Sequence, residues 1–480
     1  MANPHTEFVK AISRLDATAI VVGSMVGSGI FIVSAEIMRI VQTPGLLLLV
    51  WVLSGVVTLL GALTYGELAA MFPKAGGQYV YLREGISPLF GYLYGWTLFL
   101  VIQTGTIAAV AVAFARFTAV FIPQLTPDVF LGTTINIPQP IGPIEVGLSP
   151  QRILAIFSIV LLTWINVLGV KTAAFIQTSL TIIKIAALAG LIFLGLSIGR
   201  DVEAIAANFG TNFWPADELT MALLPVLGAA MVGSLFSMDA WNNVGFAAGE
   251  LKQPEKDLPY AMITGTLIVT VLYLLANVAY LNVLPADAIA HAPQDRVATA
   301  ALQAMFGETG LYIMAAAIMI STFGCNNGLI LSGARVYYAM AQDNLFFKST
   351  GVLHPQYRTP ALALIVQAVW TCVLCLSGTY SQLLEFVIFA AVLFYTLTAI
   401  SLFALRVKRP DFSRPFQTFG YPWLAALYLV FTGLICINLL FTRTTYSGIG
   451  LLIVVIGVPV YFLWRSLAAG SEVTRPVNSK

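Results

Sequence analysis

Apolar runs of about 18 to 25 residues recur along nearly the whole chain, separated by short polar connectors. A helix needs about 20 such residues to cross the hydrocarbon core of a bilayer. The pattern predicts helices near residues 15–39, 44–71, 89–119, 151–169, 173–198, 220–247, 260–284, 304–341, 360–378, 381–407, 421–441 and 446–468, twelve in all. Pro73, the stretch 254–259 and Pro410 are clear stops. Between 360 and 407 the separation rests on a short Ser377-Gly378 turn.

Positive charge tests this count independently, because short cytoplasmic loops collect Lys and Arg. With Lys10 and Arg14 inside, the even-numbered connectors and the C-terminal end hold Lys74, Arg83, Lys171, Lys252, Lys256, Arg335, Lys348, Arg358, Arg406, Lys408, Arg409, Arg414, Arg465, Arg475 and Lys480. That is seventeen inside, against Arg39, Arg200, Arg296 and Arg443 outside. An error of one helix in the middle would swap every later loop, so the bias puts both termini in the cytoplasm. The longest connector, about 120–150, is outside, has no Lys or Arg and contains Pro123, Pro127, Pro138, Pro140 and Pro143; it is expected to cap the outer face. The acidic stretch from Asp201 to Glu218, also outside, is expected to be partly helical.

Composition agrees. Of 480 residues, 59% are hydrophobic and only 10% charged, where a water-soluble domain carries about 25% charged residues. A formal net charge of +2 with no basic stripe gives no support to nucleic-acid binding. The histidines, His5, His291 and His354, are far apart in tail or loops, so the cluster a membrane-embedded enzyme would need is missing, and no metal or cofactor is expected. The cysteines, Cys325, Cys372, Cys375 and Cys436, all lie inside apolar runs; Cys372 and Cys375 read as small buried residues one helical turn apart. No cleavable signal peptide is expected, since the first apolar run continues past Gly27-Ser28-Gly29 to Ile40.

Two spans carry residues that a purely structural helix does not need. The first reads Gly23-Ser24-Met25-Val26-Gly27-Ser28-Gly29-Ile30-Phe31, and the sixth reads Gly233-Ser234-Leu235-Phe236-Ser237-Met238-Asp239-Ala240-Trp241-Asn242-Asn243. Alone, the small residues of the first span also suit close helix packing. Together they match the paired mid-membrane breaks of carriers. Unwinding at Gly27–Gly29 would offer N–H groups at a positive helix end to a carboxylate. Unwinding around Phe236–Asp239 would offer carbonyls to an ammonium group, and a zwitterionic amino acid carries both charges. Lys184, in mid-span, is too deep to reach the interface and should face the interior. It would act as a fixed cation, as a titrating group or as a link between helices. Gly324-Cys325-Asn326-Asn327-Gly328 is expected to interrupt the eighth span and to put amides on the cavity.

These residues carry a family resemblance. Val22 through Phe31 resembles the first-helix signature of amino acid–polyamine–organocation permeases. Asp239-Ala240-Trp241-Asn242-Asn243, then Gly249-Glu250-Leu251-Lys252-Gln253-Pro254 and Asp257-Leu258-Pro259, is similar to the sixth helix and following loop of their L-type amino acid transporter branch, in a bacterial-type form. Tyr79-Val80-Tyr81-Leu82-Arg83-Glu84, Gly95-Trp96, Asn166 through Lys184, and Asn327-Gly328 through Asp343 extend the likeness from about residue 14 to 440.

The resemblance implies an all-α integral membrane protein of 12 transmembrane helices. Two inverted five-helix repeats, 15–198 and 220–407, would have helices 1 and 6 unwound; two further helices follow over 421–468, with cytoplasmic tails 1–14 and 469–480. It implies that Gly27, Ser28 and Gly29 hold the substrate carboxylate. Phe236, Met238 and Asp239 would present carbonyls to the amino group, with Phe236 also a gate, and Asn242 and Asn327 would line the cavity. Lys184 would replace the sodium ion of sodium-driven relatives. The implied work is sodium-independent exchange of small or medium neutral L-amino acids across an inner or plasma membrane. Proton-coupled symport and polyamine or amine transport are the alternatives, with a channel or nutrient sensor of the same fold behind them. Met238 and Ala240 stand where many relatives have Tyr and Gly. Animal L-type transporters bind a glycoprotein through an external cysteine. The outer connectors here have none, so no disulfide-linked accessory subunit is expected.

Overall fold

The protein is described by a computed structural model covering residues 8–473, apart from 137–142, 216–220, 222 and 378–379. Pro138, Pro140, Arg475 and Lys480, and most of the expected tails, therefore lie outside the described residues. The chain begins with α1 (Arg14–Met25) and α2 (Gly29–Val41), followed by α3 (Pro44–Met71) and the short α4 (Gln78–Gly85). Helices α5 (Pro88–Thr97) and α6 (Gln103–Thr118) are joined by one π-helical turn, Leu98–Ile102. After a hairpin come α7 (Pro150–Val167), α8 (Val170–Leu196), α9 (Val202–Phe209) and α10 (Leu223–Ser237). The second half contains α11 (Pro254–Val283), α12 (Ala286–Ala290), α13 (Val297–Gln342), α14 (Ala361–Cys375), α15 (Tyr380–Lys408), α16 (Trp423–Thr442) and α17 (Thr444–Val473).

Among the described residues, ten segments are long and apolar enough to cross a membrane, α1–α2 and α5–α6 each counting as one; Leu223–Ser237 and Ala361–Cys375 are shorter apolar helices. Their starts follow local chemistry. Ser13 and Asp16 form a reciprocal cap on α1, the Ser13 hydroxyl accepting from the Asp16 N–H and the Asp16 carboxylate from the Ser13 N–H. Proline occupies the first turn of α3, α5, α7 and α11, where no N–H is needed. Phe157, Trp164, Phe175, Phe193, Leu434 and Phe441 project outward, as lipid-facing side chains do.

Two expectations change. The eighth span is not interrupted at Gly324–Gly328: α13 is helical there, and its kink lies at Gly307. The helical ladder satisfies the backbone on its own, and the Asn327 amide bonds to neighbouring helices. The connector expected as an outer cap contains an antiparallel hairpin, Leu131–Asn136 with Pro143–Leu148, an element outside the all-α reading. It is tied down where the Gly147 N–H and the Arg152 guanidinium both donate to the Leu376 carbonyl. Arg116 and Arg152 lie at helix ends. Arg116 approaches Asp295, as Arg39 does, so the ends of the first and third spans share a face. The partly helical outer stretch is α9.

At the opposite end the chain closes on itself. Ile12 pairs with Leu251 as an isolated parallel bridge, the Ala11 and Ile12 N–H groups donate to the Glu250 carbonyl, and the Lys252 N–H donates to Ile12. Phe8 stacks edge-on against Tyr338, and Arg14 pairs with Asp257 at 2.7 Å. Beneath this seam the carboxylate of Glu250 takes two bonds from Arg335, at 2.9 and 3.1 Å, with both side chains 1% exposed.

Candidate binding site at two helix interruptions

The first span leaves its helical ladder after Met25 and resumes it at Gly29. The carbonyls stranded at the end of α1 can be followed one by one. Gly23 and Val26 each accept from the Lys184 ammonium at 2.8 Å, and Ser321 supplies it a third carbonyl at 2.9 Å. Ser24 accepts from the Cys325 thiol, and Met25 from the Tyr273 hydroxyl at 2.9 Å. The Ser321 hydroxyl lies within reach of both Val26 and Gly27 carbonyls. Helices α8, α11 and α13 therefore satisfy the broken end, and Lys184, 1% exposed, sits in a cage of neutral oxygens. Burying an ammonium group costs several kcal/mol unless it is well bonded; three charge-assisted bonds offset that cost. This resembles a cation site whose ion is delivered by a side chain.

The second interruption begins two residues later than expected. Phe236 and Ser237 are still helical, the Phe236 carbonyl accepts from the Asp239 N–H, and the irregular stretch is Met238–Asn242, ahead of a 3-10 helix over Asn243–Glu250. Phe236 therefore falls outside the carbonyl set proposed for it, while Met238 and Asp239 stay within the break. Ala240 turns the chain with φ +66°, a conformation that costs a residue with a Cβ about 1–2 kcal/mol. A residue in this left-handed region cannot continue a right-handed helix, so the backbone leaves the helical path here.

The two interruptions touch. The Tyr273 hydroxyl reaches Met25 O at 2.9 Å and Ser237 O at 3.2 Å, bridging the last residues of α1 and α10. Gly29 has no room for a side chain: a Cβ there would lie 2.7 Å from Ser237 Cβ. Gly27 faces Cys325, and Ser28 is buried between them. Because α2 starts at Gly29, the Gly29 and Ile30 N–H groups precede its ladder, while the Phe31 N–H already donates to the Ser28 carbonyl. Gly29 lies beside Ser237, the last residue of α10 before the displaced Met238–Asn242 backbone.

Two expected cavity residues are engaged elsewhere. The Asn327 amide donates to the Ala173 carbonyl and to Gln177, and its oxygen accepts from Asn166; it ties α13 to α7 and α8 instead of lining the break. Asn242 donates to Gln78, which donates to Thr398, fixing the end of the second interruption to α4 and α15. Conversely, sequence reasoning gave no role to Tyr273, Ser321, Cys325 or Tyr395, whose hydroxyl donates to the Asp239 carboxylate. A signal existed: Ser321 and Cys325 are one turn apart in an apolar span, on the face that meets Ser24 to Gly27.

The amino acid permease family model matches residues 12–459. A serine/threonine exchanger of Bacillus subtilis is 30% identical over 95% of this chain and 98% of its own length. The human large neutral amino acids transporter small subunit 2 is 32% identical, covering 95% of this chain and 80% of its own. The mouse Asc-type amino acid transporter 1 is 30% identical over 97% and 83%.

Proposed function

The chain belongs to the amino acid permease family, and on that premise we propose that it exchanges small or medium neutral L-amino acids across a membrane by alternating access, without sodium. The observation that carries the reading is the contact between two helix interruptions, one presenting first-turn N–H groups and the other displaced carbonyls. The names of the relatives, a serine/threonine exchanger and a large neutral amino acids transporter subunit, support the substrate class.

In this reading Gly27, Ser28 and Gly29 take the carboxylate, and the carbonyls of Met238 and Asp239 take the ammonium group. Phe236, buried at the end of α10, closes over the substrate. Lys184 supplies the positive charge that a bound sodium would supply, which makes the cycle independent of that ion. The chain crosses the membrane twelve times as two inverted repeats, 15–198 and 220–407, followed by 421–468. Both termini are cytoplasmic, so the seam between Ile12 and Leu251 is the inner gate, in its closed position. The transporter works without a disulfide-linked partner.

The test is counterflow. Purified protein in liposomes, preloaded with each of the twenty amino acids in turn, is assayed for uptake of one labelled neutral amino acid, with and without sodium and a pH gradient. Uptake is expected only against an internal neutral amino acid and unchanged by sodium. Sodium-driven uptake into empty liposomes, or a lack of saturable counterflow, would overturn the proposal.

A further inference from the structure

The N-terminal segment that closes the seam also walls a cavity of about 580 Å³. Phe8 and Lys10 come from that segment, Lys74 from the connector after α3, Arg83 from α4, and Tyr338 and Asp343 from the end of α13. Gly249 lines it too, beside the Glu250 carbonyl that accepts from Ala11 and Ile12. Segments far apart in sequence therefore meet at this cavity, and one of them is half of the seam. Its volume falls in the range of small-molecule sites, about 300–1,000 Å³, and is far more than an inorganic ion fills.

The charges around it do not balance. The Arg83 guanidinium donates to both Asp343 and Glu84, the Tyr79 hydroxyl donates to Asp343 at 2.6 Å, and Glu84 also takes Arg409 at 3.0 Å. In that corner two arginines cancel two carboxylates. Lys10 and Lys74 are different: among the described residues neither ammonium group has a hydrogen bond or an ion pair. The cavity thus keeps a surplus of two positive charges. It also offers an apolar surface, since Phe8 packs edge-on against Tyr338 with ring centres 4.9 Å apart and Val80 lies on the same lining. A phosphate monoester matches both features. It carries about −1.5 to −2 charges at pH 7 with three acceptor oxygens, and its organic part can lie on the apolar side. A single carboxylate brings half that charge, and a zwitterionic amino acid brings none.

We propose that this cavity binds a phosphate monoester, from a lipid headgroup or from a soluble organic phosphate, and that the bound ester holds the seam shut. Only Ala11 separates Lys10 from Ile12, so parting Ile12 from Leu251 carries Lys10 away from Lys74. A ligand held by both lysines favours the closed form and shifts the population toward it. With the seam as the inner gate the ester is a brake on exchange; that consequence, unlike the binding, rests on the function proposed above.

Binding is read without transport, from the melting temperature of the full chain in neutral detergent. Adenosine monophosphate and phosphatidic acid are the two probes, with adenosine and phosphatidylcholine as their controls. At least one probe is expected to raise the melting temperature saturably, with an effect that shrinks as salt is added. A shift with adenosine monophosphate alone assigns the soluble source, and one with phosphatidic acid alone the lipid. The Lys10→Gln, Lys74→Gln double variant is expected to bind at least about tenfold more weakly, while its exchange in phosphatidylcholine liposomes shows that it folds. No shift with either probe, or a full shift in the double variant, overturns the site. In the same liposomes the effective ester is expected to slow exchange of a labelled neutral amino acid about fivefold in the unaltered protein and not in the double variant. Unchanged exchange at saturating ester overturns the hold on the seam. A lack of exchange by the unaltered protein without ester overturns the proposed function instead and leaves the binding result standing.

Discussion

The Lys184 ammonium and the Ser321 carbonyl oxygen lie 2.9 Å apart, with the Val26 carbonyl bonded to that same ammonium. One side chain thus holds the broken end of α1 between α8 and α13. Lys184→Met would remove the ammonium from three buried carbonyls, of which Val26 keeps the Ser321 hydroxyl; each carbonyl left unbonded costs about 1–3 kcal/mol. Exchange in liposomes is expected to fall about 100-fold, with no new dependence on a pH gradient. Near-normal uptake would remove Lys184 from the transport cycle.

Gly29 and Ser237 set how closely the two interruptions approach. A Cβ on residue 29 would come within 2.9 Å of Ser237 Cα as well as close to its side chain, so a rotamer change alone cannot clear it. Overpacking of this kind costs about 1–3 kcal/mol. Gly29→Ala is expected to lower exchange at least tenfold, and adding Ser237→Gly to recover part of it. A double variant no better than the single one would show that the two residues are not coupled.

Ala240 can be tested through its backbone. At φ +66° a β-branched residue is a genuine outlier, so Ala240→Val is expected to destabilise by about 2 kcal/mol. Ala240→Gly relieves the strain but loosens the unfolded chain, and should shift stability by less than about 1 kcal/mol. Thermal unfolding in detergent measures both. Equal melting temperatures for the two variants would contradict the left-handed turn.

The Glu250–Arg335 pair under the seam is buried on both sides. Removing only one partner of such a pair typically costs about 3–5 kcal/mol, while replacing both with apolar residues is often close to neutral. Arg335→Met is therefore expected to unfold far more readily than the Arg335→Met, Glu250→Leu double variant. A double-mutant cycle in which the two changes simply add would show that the ion pair is not what holds the seam.

The helices were legible because lipid enforces a simple rule: apolar all round, about 20 residues, punctuated by proline. The interruptions were legible for the complementary reason, since Gly27-Ser28-Gly29 and Asp239 have no use in a plain span. Their register was less so. The second break starts at Met238 rather than Phe236 because Ser234 and Phe236 still accept from the Met238 and Asp239 N–H groups, a local choice that residue type does not reveal. Asn327 misled because an amide at depth needs partners, and sequence does not say whether they are a substrate or the side chains of Gln177 and Asn166. Tyr273 was invisible for the same reason: one more aromatic residue in an apolar run, placed by α11 between two helix ends.

The bridge between Ile12 and Leu251 is made entirely of peptide groups. Its three bonds come from the N–H groups of residues 11, 12 and 252, so proline at any of these positions would remove one, while the buried Ile12 side chain adds apolar packing. Separating the strands exchanges three amide bonds for bonds to water, a net bias of about 1 kcal/mol per bond. On the proposed reading of the seam as the inner gate, such a threshold keeps an empty carrier shut most of the time yet lies within reach of a ligand's binding energy.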